Sequence, residues 1–381
     1  MKIAPPVLLG CMVLLAAVLL PLPIRPYLDF QVIYHADMGL LRGIPIYDHA
    51  GQVSMIAQLA RVSADQVFVL PFPYPPWYAL ATLWLVLLPI DAAARLWFGV
   101  NLIMLFLSIV WLTNGWPAPK RLLVTSCAIL FVPVLGSLFV GQYGFPVLLG
   151  AALMTRALRR HSAALTGISA AMLTFKPHLG ALVLIIVVVH LWQRRDDFGR
   201  RSLLAIALSG TILFAAGFLA SPLWPVDYYH SLTGFKDVSQ CHQCVSVPMA
   251  LASLVGAGFS QAVWIAAGIS VVLAAFLVRR WRPRVPGPSQ LVVGAVLLTF
   301  LVSPYLQNYD YVLLVVPFLA LAAIARGVGW LWLTLAYALP LGSLALLGSA
   351  GNVSLVFSAC VLFGIAAGKI GNIDAPAFTS S

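Results

Sequence analysis

Five polar islands interrupt an otherwise apolar chain, and the residues able to do chemistry are gathered in them. They are DFQVIYHADMGLLRGIPIYD from Asp29 to Asp48, FPYPP at 72–76, GQYG at 141–144, KPH at 176–178 and SPYLQNYD at 303–310. All 11 acidic residues are Asp. With so few carboxylates, each one near a membrane surface is a candidate for function. Asp29 directly follows the first apolar segment, where a carboxylate could take a proton from a hydroxyl held against it. The alternative is an N-cap, since Asp29 opens a helical pattern just after Pro26. Asp37 and Asp48 are further candidates for the same task, against the alternative of a solvated face.

Lys176, Pro177 and His178 put a cation and an imidazole at the depth of a lipid phosphate, with a snorkelling lysine as the alternative. Asp310 stands near the start of a helix beside Gln307, Asn308 and Tyr309, where capping would also account for it. Tyr74 is held extended by Pro75, and Pro76 suits a first helical turn, which makes a rigid entry and a wall for a site beneath the loop. Of the five Cys, Cys11, Cys127 and Cys360 lie in apolar runs and act as small hydrophobes. Cys241 and Cys244 have C-x-x-C spacing, but a zinc site needs about four ligands and no second pair exists. The pair predicts a disulfide, with two free thiols as the alternative and no metal.

The elements that position these islands follow from composition. At 62% hydrophobic and 9% charged, the chain is that of a polytopic membrane protein. The net charge of +11 comes from short basic connections such as RALRRH (156–161), QRRDDFGRR (193–201) and RRWRPR (279–284). That distribution reads as topology rather than nucleic-acid binding. Lys2 and the run from Ile3 to about Ile24 could pass for a signal peptide, but the run is long and lacks a small-x-small cleavage site, so it is expected to be the first transmembrane helix.

Thirteen apolar runs follow the chain from about 4–24 to 353–368, and the fold class predicted is all-α, with about 12–13 transmembrane helices. Placing the basic clusters in the cytoplasm puts the loops at 25–73, 176–178, 221–247, 303–308 and 348–352 on the opposite side. One conflict remains: Asn114 then falls on the far side, and 121–158 must make one net crossing with two runs. The expectation is that 121–139, interrupted by Pro133 and Gly136, dips in and returns. In the first loop, Phe30, Ile33, Leu40 and Leu41 predict a surface helix over 29–42, stopped by Gly43 and Pro45. A second amphipathic piece is expected at about 51–61, with Val53, Ile56, Ala57 and Leu59 on its apolar face. No repeat, low-complexity tract or soluble domain is evident, so residues 1–381 read as one transmembrane domain.

Taken in order, the islands resemble the GT-C superfamily of polyprenyl-phosphate-sugar-dependent glycosyltransferases, and within it glycosyltransferase family 87. The matching residues are Asp29-Phe30, Tyr34, Gly43-Ile44-Pro45-Ile46-Tyr47, Tyr74-Pro75-Pro76, Gly141-Gln142, Lys176-Pro177, Ser303-Pro304 and Tyr309-Asp310. The chain departs from the family in offering CHQCVS where members often carry Asn-Gln-Ser. It also has Asn308 and Tyr309 where some members carry a His.

The resemblance implies an inverting hexosyltransferase, a mannosyltransferase above all. It would move sugar from a polyprenyl-phosphate carrier to a lipid or glycan acceptor, with no cofactor. Asp29 would be the base, Lys176 with His178 or Arg42 the phosphate partners, and Tyr34, Gln142 and Asp310 the sugar-positioning groups. The implied location is a bacterial plasma (inner) membrane, with the site facing the extracytoplasmic side and membrane lipids all round. The rival class is a lipid or polysaccharide flippase or transporter, whose paired halves with matching broken helices are not seen.

Overall fold

The computed structural model describes residues 27–239, 244–281, 287–345 and 349–369. The predicted first transmembrane helix, to about Ile24, lies outside the described residues. Those described are all-α, with no strand among them, as expected of an all-α polytopic membrane protein.

The first loop holds α1 (Leu28–Leu41) and α2 (His49–Ala60). α1 ends where Gly43 takes φ +78, a left-handed conformation that glycine adopts freely. Its apolar face is Phe30, Val32, Ile33 and Ala36, all buried, whereas Leu41 is 57% exposed. α2 is rotated from the expected phase. Gln52, Met55 and Ala57 are its buried residues, because the Gln52 amide donates to the Ile46 carbonyl at 2.6 Å, and Leu59 faces outward.

After the Tyr-Pro-Pro entry come α3 (Pro76–Thr82), a 3-10 turn Leu83–Leu87 and the long α4 (Ile90–Leu112). Both ends of 76–87 are fastened to the first loop. The Tyr47 hydroxyl donates to the Tyr74 carbonyl at 2.8 Å, and the Tyr34 hydroxyl donates to the Leu88 carbonyl at 2.7 Å. The segment therefore turns back on the side it entered and is not a span, contrary to its place among the thirteen runs.

This re-entrant segment resolves the topological conflict. Trp97, early in α4, donates to the Gly141 carbonyl at 3.0 Å. Late in α4, the Trp111 ring lies under Arg156, 5.8 Å from the ring centre. α4 thus runs from the site end to the basic end, and Asn114 belongs with the basic connections. α5 (Ala118–Leu130) and α6 (Val132–Val140) then return as one broken span bent by 60°. The break falls at Phe131, two residues before Pro133, which cannot donate to the helical ladder. The 121–139 run therefore crosses rather than dipping and returning.

α7 (Gly144–Arg159) and α14 (Pro288–Val302) are buried on nearly every side, as helices that are apolar all round must be. Between them in the chain come α8 (Ala163–Leu173), α9 (Pro177–Arg194), α10 (Asp197–Gly217), α11 (Trp224–Ser239), α12 (Val247–Leu254) and α13 (Phe259–Trp281). α10 is the opposite case to α7, showing Leu204, Leu208, Ile212 and Phe214 on the outside, a surface suited to lipid rather than water. A 3-10 stretch, Asn308–Leu314, leads into α15 (Val315–Ile324), followed by α16 (Val328–Ala338), the short α17 (Gly342–Ala345) and α18 (Ser349–Lys369). Among the described residues, three helices are long and apolar enough to cross a membrane unaided, and the bent α5–α6 pair makes a fourth. Other apolar helices among the described residues, such as α8, α14 and α16, are shorter than a full span.

Candidate active site

The first turn of α1 places Asp29 against the N-terminus of α9. Tyr27 is the N-cap residue of α1 and makes no side-chain cap bond, so Asp29 lies inside the first turn rather than at the N-cap position. Opposite it, Lys176 precedes α9, with Pro177 in the first turn because a proline there forfeits no helical N–H. His178 follows, so the Lys-Pro-His island projects two nitrogen groups from one helix start.

Lys176 is 2% exposed. Its ammonium donates to Asp310 Oδ1 and to Gln142 Oε1 at 3.0 Å, and lies 4.6 Å from the centre of the Tyr309 ring. His178 Nε2 is 3.3 Å from Asp310 Oδ2, which also accepts the Gln307 backbone N–H at 2.8 Å. Asp310 thus caps its own 3-10 turn, as the capping alternative had it, and balances the lysine. An ammonium has three donors, and two of them are taken by Asp310 and Gln142.

Gln142 is aimed by the turn before it. Gly141 has φ +76, and a Cβ there would meet the Phe30 side chain at 3.0 Å. Only glycine lets α6 end this close to α1. The carboxamide oxygen of Gln142 faces Lys176, and its nitrogen lacks a hydrogen bond of normal distance and angle, although it stands close enough to favour the charged form of Asp29. Burial pushes the Asp29 carboxyl above the usual aspartate value, Lys176 and Gln142 oppose that shift, and Asp310 adds to it. A carboxylate so raised is a stronger base than an exposed one.

These groups border a cavity of ≈ 390 Å³. Asp29, Tyr74, Lys176 and His178 line it, with Tyr228, Tyr305 and Tyr309 adding aromatic faces and Val32, Leu70, Leu232 and Phe259 an apolar wall. Asp29 is the sole carboxylate of that lining. Burial pushes the hydroxyls of Tyr74 and Tyr305 upward and that of Tyr228 up to about 12, so each stays a neutral donor and acceptor at physiological pH.

Of the sequence-predicted residues, Gln142 and Asp310 are not in the lining but hydrogen-bond Lys176, which is. Two are not brought to the cavity. Tyr34 gives its hydroxyl to the Leu88 carbonyl, and Arg42 is exposed at the C-terminus of α1. Asp48 is a cap, accepting the Gly51 N–H at 2.9 Å. Tyr305 and Tyr228 were not expected, although Tyr305 lies within SPYLQNYD; no pattern in the sequence marks Tyr228. Cys244 is disulfide-bonded, while Cys241 lies outside the described residues. No cluster of three or more His, Cys, Asp or Glu suited to a metal occurs among the described residues.

Asp37 is a correction. Rather than lying on a solvated face it is fully buried, and neither carboxyl oxygen has a hydrogen bond of normal distance and angle, although the Thr82 hydroxyl stands close enough to favour its charged form. The nearby Thr82 hydroxyl donates instead to the Tyr78 carbonyl at 3.0 Å. Burial holds the Asp37 carboxyl well above its ordinary value. A folded-state pKa raised in this way contributes stability that is present at low pH and is lost as pH rises through it. Asp37→Asn should therefore lose less thermal stability than the wild type as detergent-solubilised protein is taken from pH 4 upward. Parallel melting curves for the two proteins would show that Asp37 is not a neutral acid.

The model of glycosyltransferase family 87 matches residues 72–304. The chain belongs to glycosyltransferase family 87. No curated protein and no solved structure matches it. The enzyme is thus a membrane glycosyltransferase, which sets the transporter reading aside. The match includes Tyr74, Gln142, Lys176, His178 and Tyr228 but stops short of Asp29 and Asp310, so those two are tied to the site by geometry alone.

Proposed function

We propose that the enzyme transfers a hexose, mannose first among the choices, from a polyprenyl phosphate to a hydroxyl of a lipid or glycan, with inversion, on the extracytoplasmic face. The observation that carries this reading is the pairing, across one cavity, of a single carboxylate with a lysine and a histidine. The apolar wall of Val32, Leu70, Leu232 and Phe259 suits the first prenyl units of a carrier.

In the proposed step the acceptor oxygen attacks the anomeric carbon as its proton passes to Asp29. The bond from that carbon to the phosphate oxygen breaks, and polyprenyl phosphate leaves with the electron pair. A phosphate needs no protonation to depart, so one base suffices and a single displacement inverts the centre. Lys176, with its third N–H, and His178 stabilise the charge that develops on the departing oxygen. The tyrosine faces hold the sugar ring, which aligns the attack.

The test is an assay in sealed vesicles of each orientation, using labelled polyprenyl-phosphate mannose and membrane acceptors. Labelled product of inverted configuration should form only where donor reaches the face opposite the basic connections. Efficient transfer from a nucleotide sugar, or on the basic face, would overturn the proposal.

A further inference from the structure

A second cavity, of ≈ 280 Å³, lies away from the active site between α5, α15 and α16. Its lining is almost wholly apolar, with Val124, Phe131, Phe318, Leu319 and Trp330 among it, and Lys120 as its sole charged residue. The Lys120 ammonium lies 4.3 Å from the centre of the Trp116 ring and 3.5 Å from the Ala322 carbonyl. Arg121 meets the same tryptophan, donating to its carbonyl at 3.4 Å, and its Nε is buried without a partner. Neither cation is in an ion pair among the described residues. Two adjacent cations thus lack a counter-charge among the described residues, and one of them, Lys120, lines the apolar slot.

The dimensions of the slot select its occupant. Lys120 belongs to the basic end of the bundle, beside Ala322, which stands four residues before Arg326 in the chain. From there to Phe131 the chain climbs eleven residues, about 16 Å of helix, which is close to half of a hydrocarbon core about 30 Å thick. A headgroup at Lys120 therefore places an acyl chain along α5 as far as the break, where the Phe131 ring packs on Phe318 and Tyr337 with centroids 5.2 and 5.5 Å away.

We propose that this cavity binds one acyl chain of an anionic glycerophospholipid from the leaflet on the basic side, with its phosphate on Lys120 and Arg121. The chain fills the slot beneath the bend and braces α5 against α15 and α16. The site is independent of the donor cavity and does not rest on the proposed reaction.

The test uses whole enzyme in detergent, titrated with phosphatidylglycerol or phosphatidylcholine carrying brominated acyl chains, which quench nearby tryptophans. Phosphatidylglycerol should give a saturable quench that Trp330→Phe removes. The double variant Lys120→Gln, Arg121→Gln should bind at least tenfold more weakly, and phosphatidylcholine should match that weakened binding. Trp330→Phe is conservative and both charge changes are near the surface, so an unaltered elution profile is expected. Quenching that is equal for the two lipids, or unchanged in both variants, would overturn the proposal, as would displacement of the lipid by inorganic phosphate alone.

Discussion

Asp29→Asn enzyme is expected to fold, insert and bind donor, while its turnover falls by a factor on the order of 100 to 10,000, the usual contribution of a positioned base. The substitution is informative because Tyr27, not Asp29, is the N-cap residue of α1, and an amide of the same shape keeps an oxygen for the first-turn backbone N–H. It also keeps an oxygen for Gln142 and removes only the ability to take a proton. Turnover measured at saturating donor, beside donor affinity, separates the two effects. Near-normal turnover would remove the base from Asp29, and among the described residues no second carboxylate lines the cavity to inherit the role.

The Lys176→Ala change should act on stability as well as chemistry. Lys176 and Asp310 have side-chain exposures of 3% and 0%, and removing one partner of so buried a pair leaves the other charge without compensation. Losses of this kind run to about 3–5 kcal/mol, visible as a large drop in the denaturation midpoint, together with loss of donor binding. Replacing both partners, Lys176→Met with Asp310→Leu, should recover much of the stability without recovering activity. A double variant that still binds donor would show that the lysine is structural alone, and a single variant as stable as the wild type would show that the pair is not buried.

How far the site could be read from the sequence depended on what each residue's signal was. Asp29, Lys176, His178 and Asp310 were legible because charge is rare in this chain, and an unpaired charge in an apolar setting must find a partner. Gln142 was legible through the glycine before it. Tyr34 misled for a geometric reason: five residues from Asp29, it points about 140° away around a 3.6-residue helix. Arg42 lies beyond the end of α1, where solvent is the cheaper partner. Tyr228 was invisible, because an aromatic residue at a membrane interface is ordinary.

The fold class followed from composition, but the path of the chain did not. An apolar run such as 76–87 shows that a segment can sit in lipid; it does not say whether its two ends emerge on one side or on both. That was settled by two tyrosine hydroxyls bonded to backbone carbonyls, at Tyr74 and Leu88, contacts no local pattern encodes. The buried phase of α2 was likewise set by one amide, Gln52, finding a carbonyl six residues back.

The ion pair that anchors the site joins residues 134 apart in the chain. During synthesis the lysine therefore exists long before its counter-charge is made, and the loop that must close to unite them is among the slow, long-range steps of folding. Until the stretch around Asp310 docks, the ammonium has Gln142 and the Asp29 carboxylate nearby but lacks the carboxylate that pairs with it directly. The charge pair serves as a completion mark, since a chain that stops short of it has a first loop and a family core but no organised place for a phosphate.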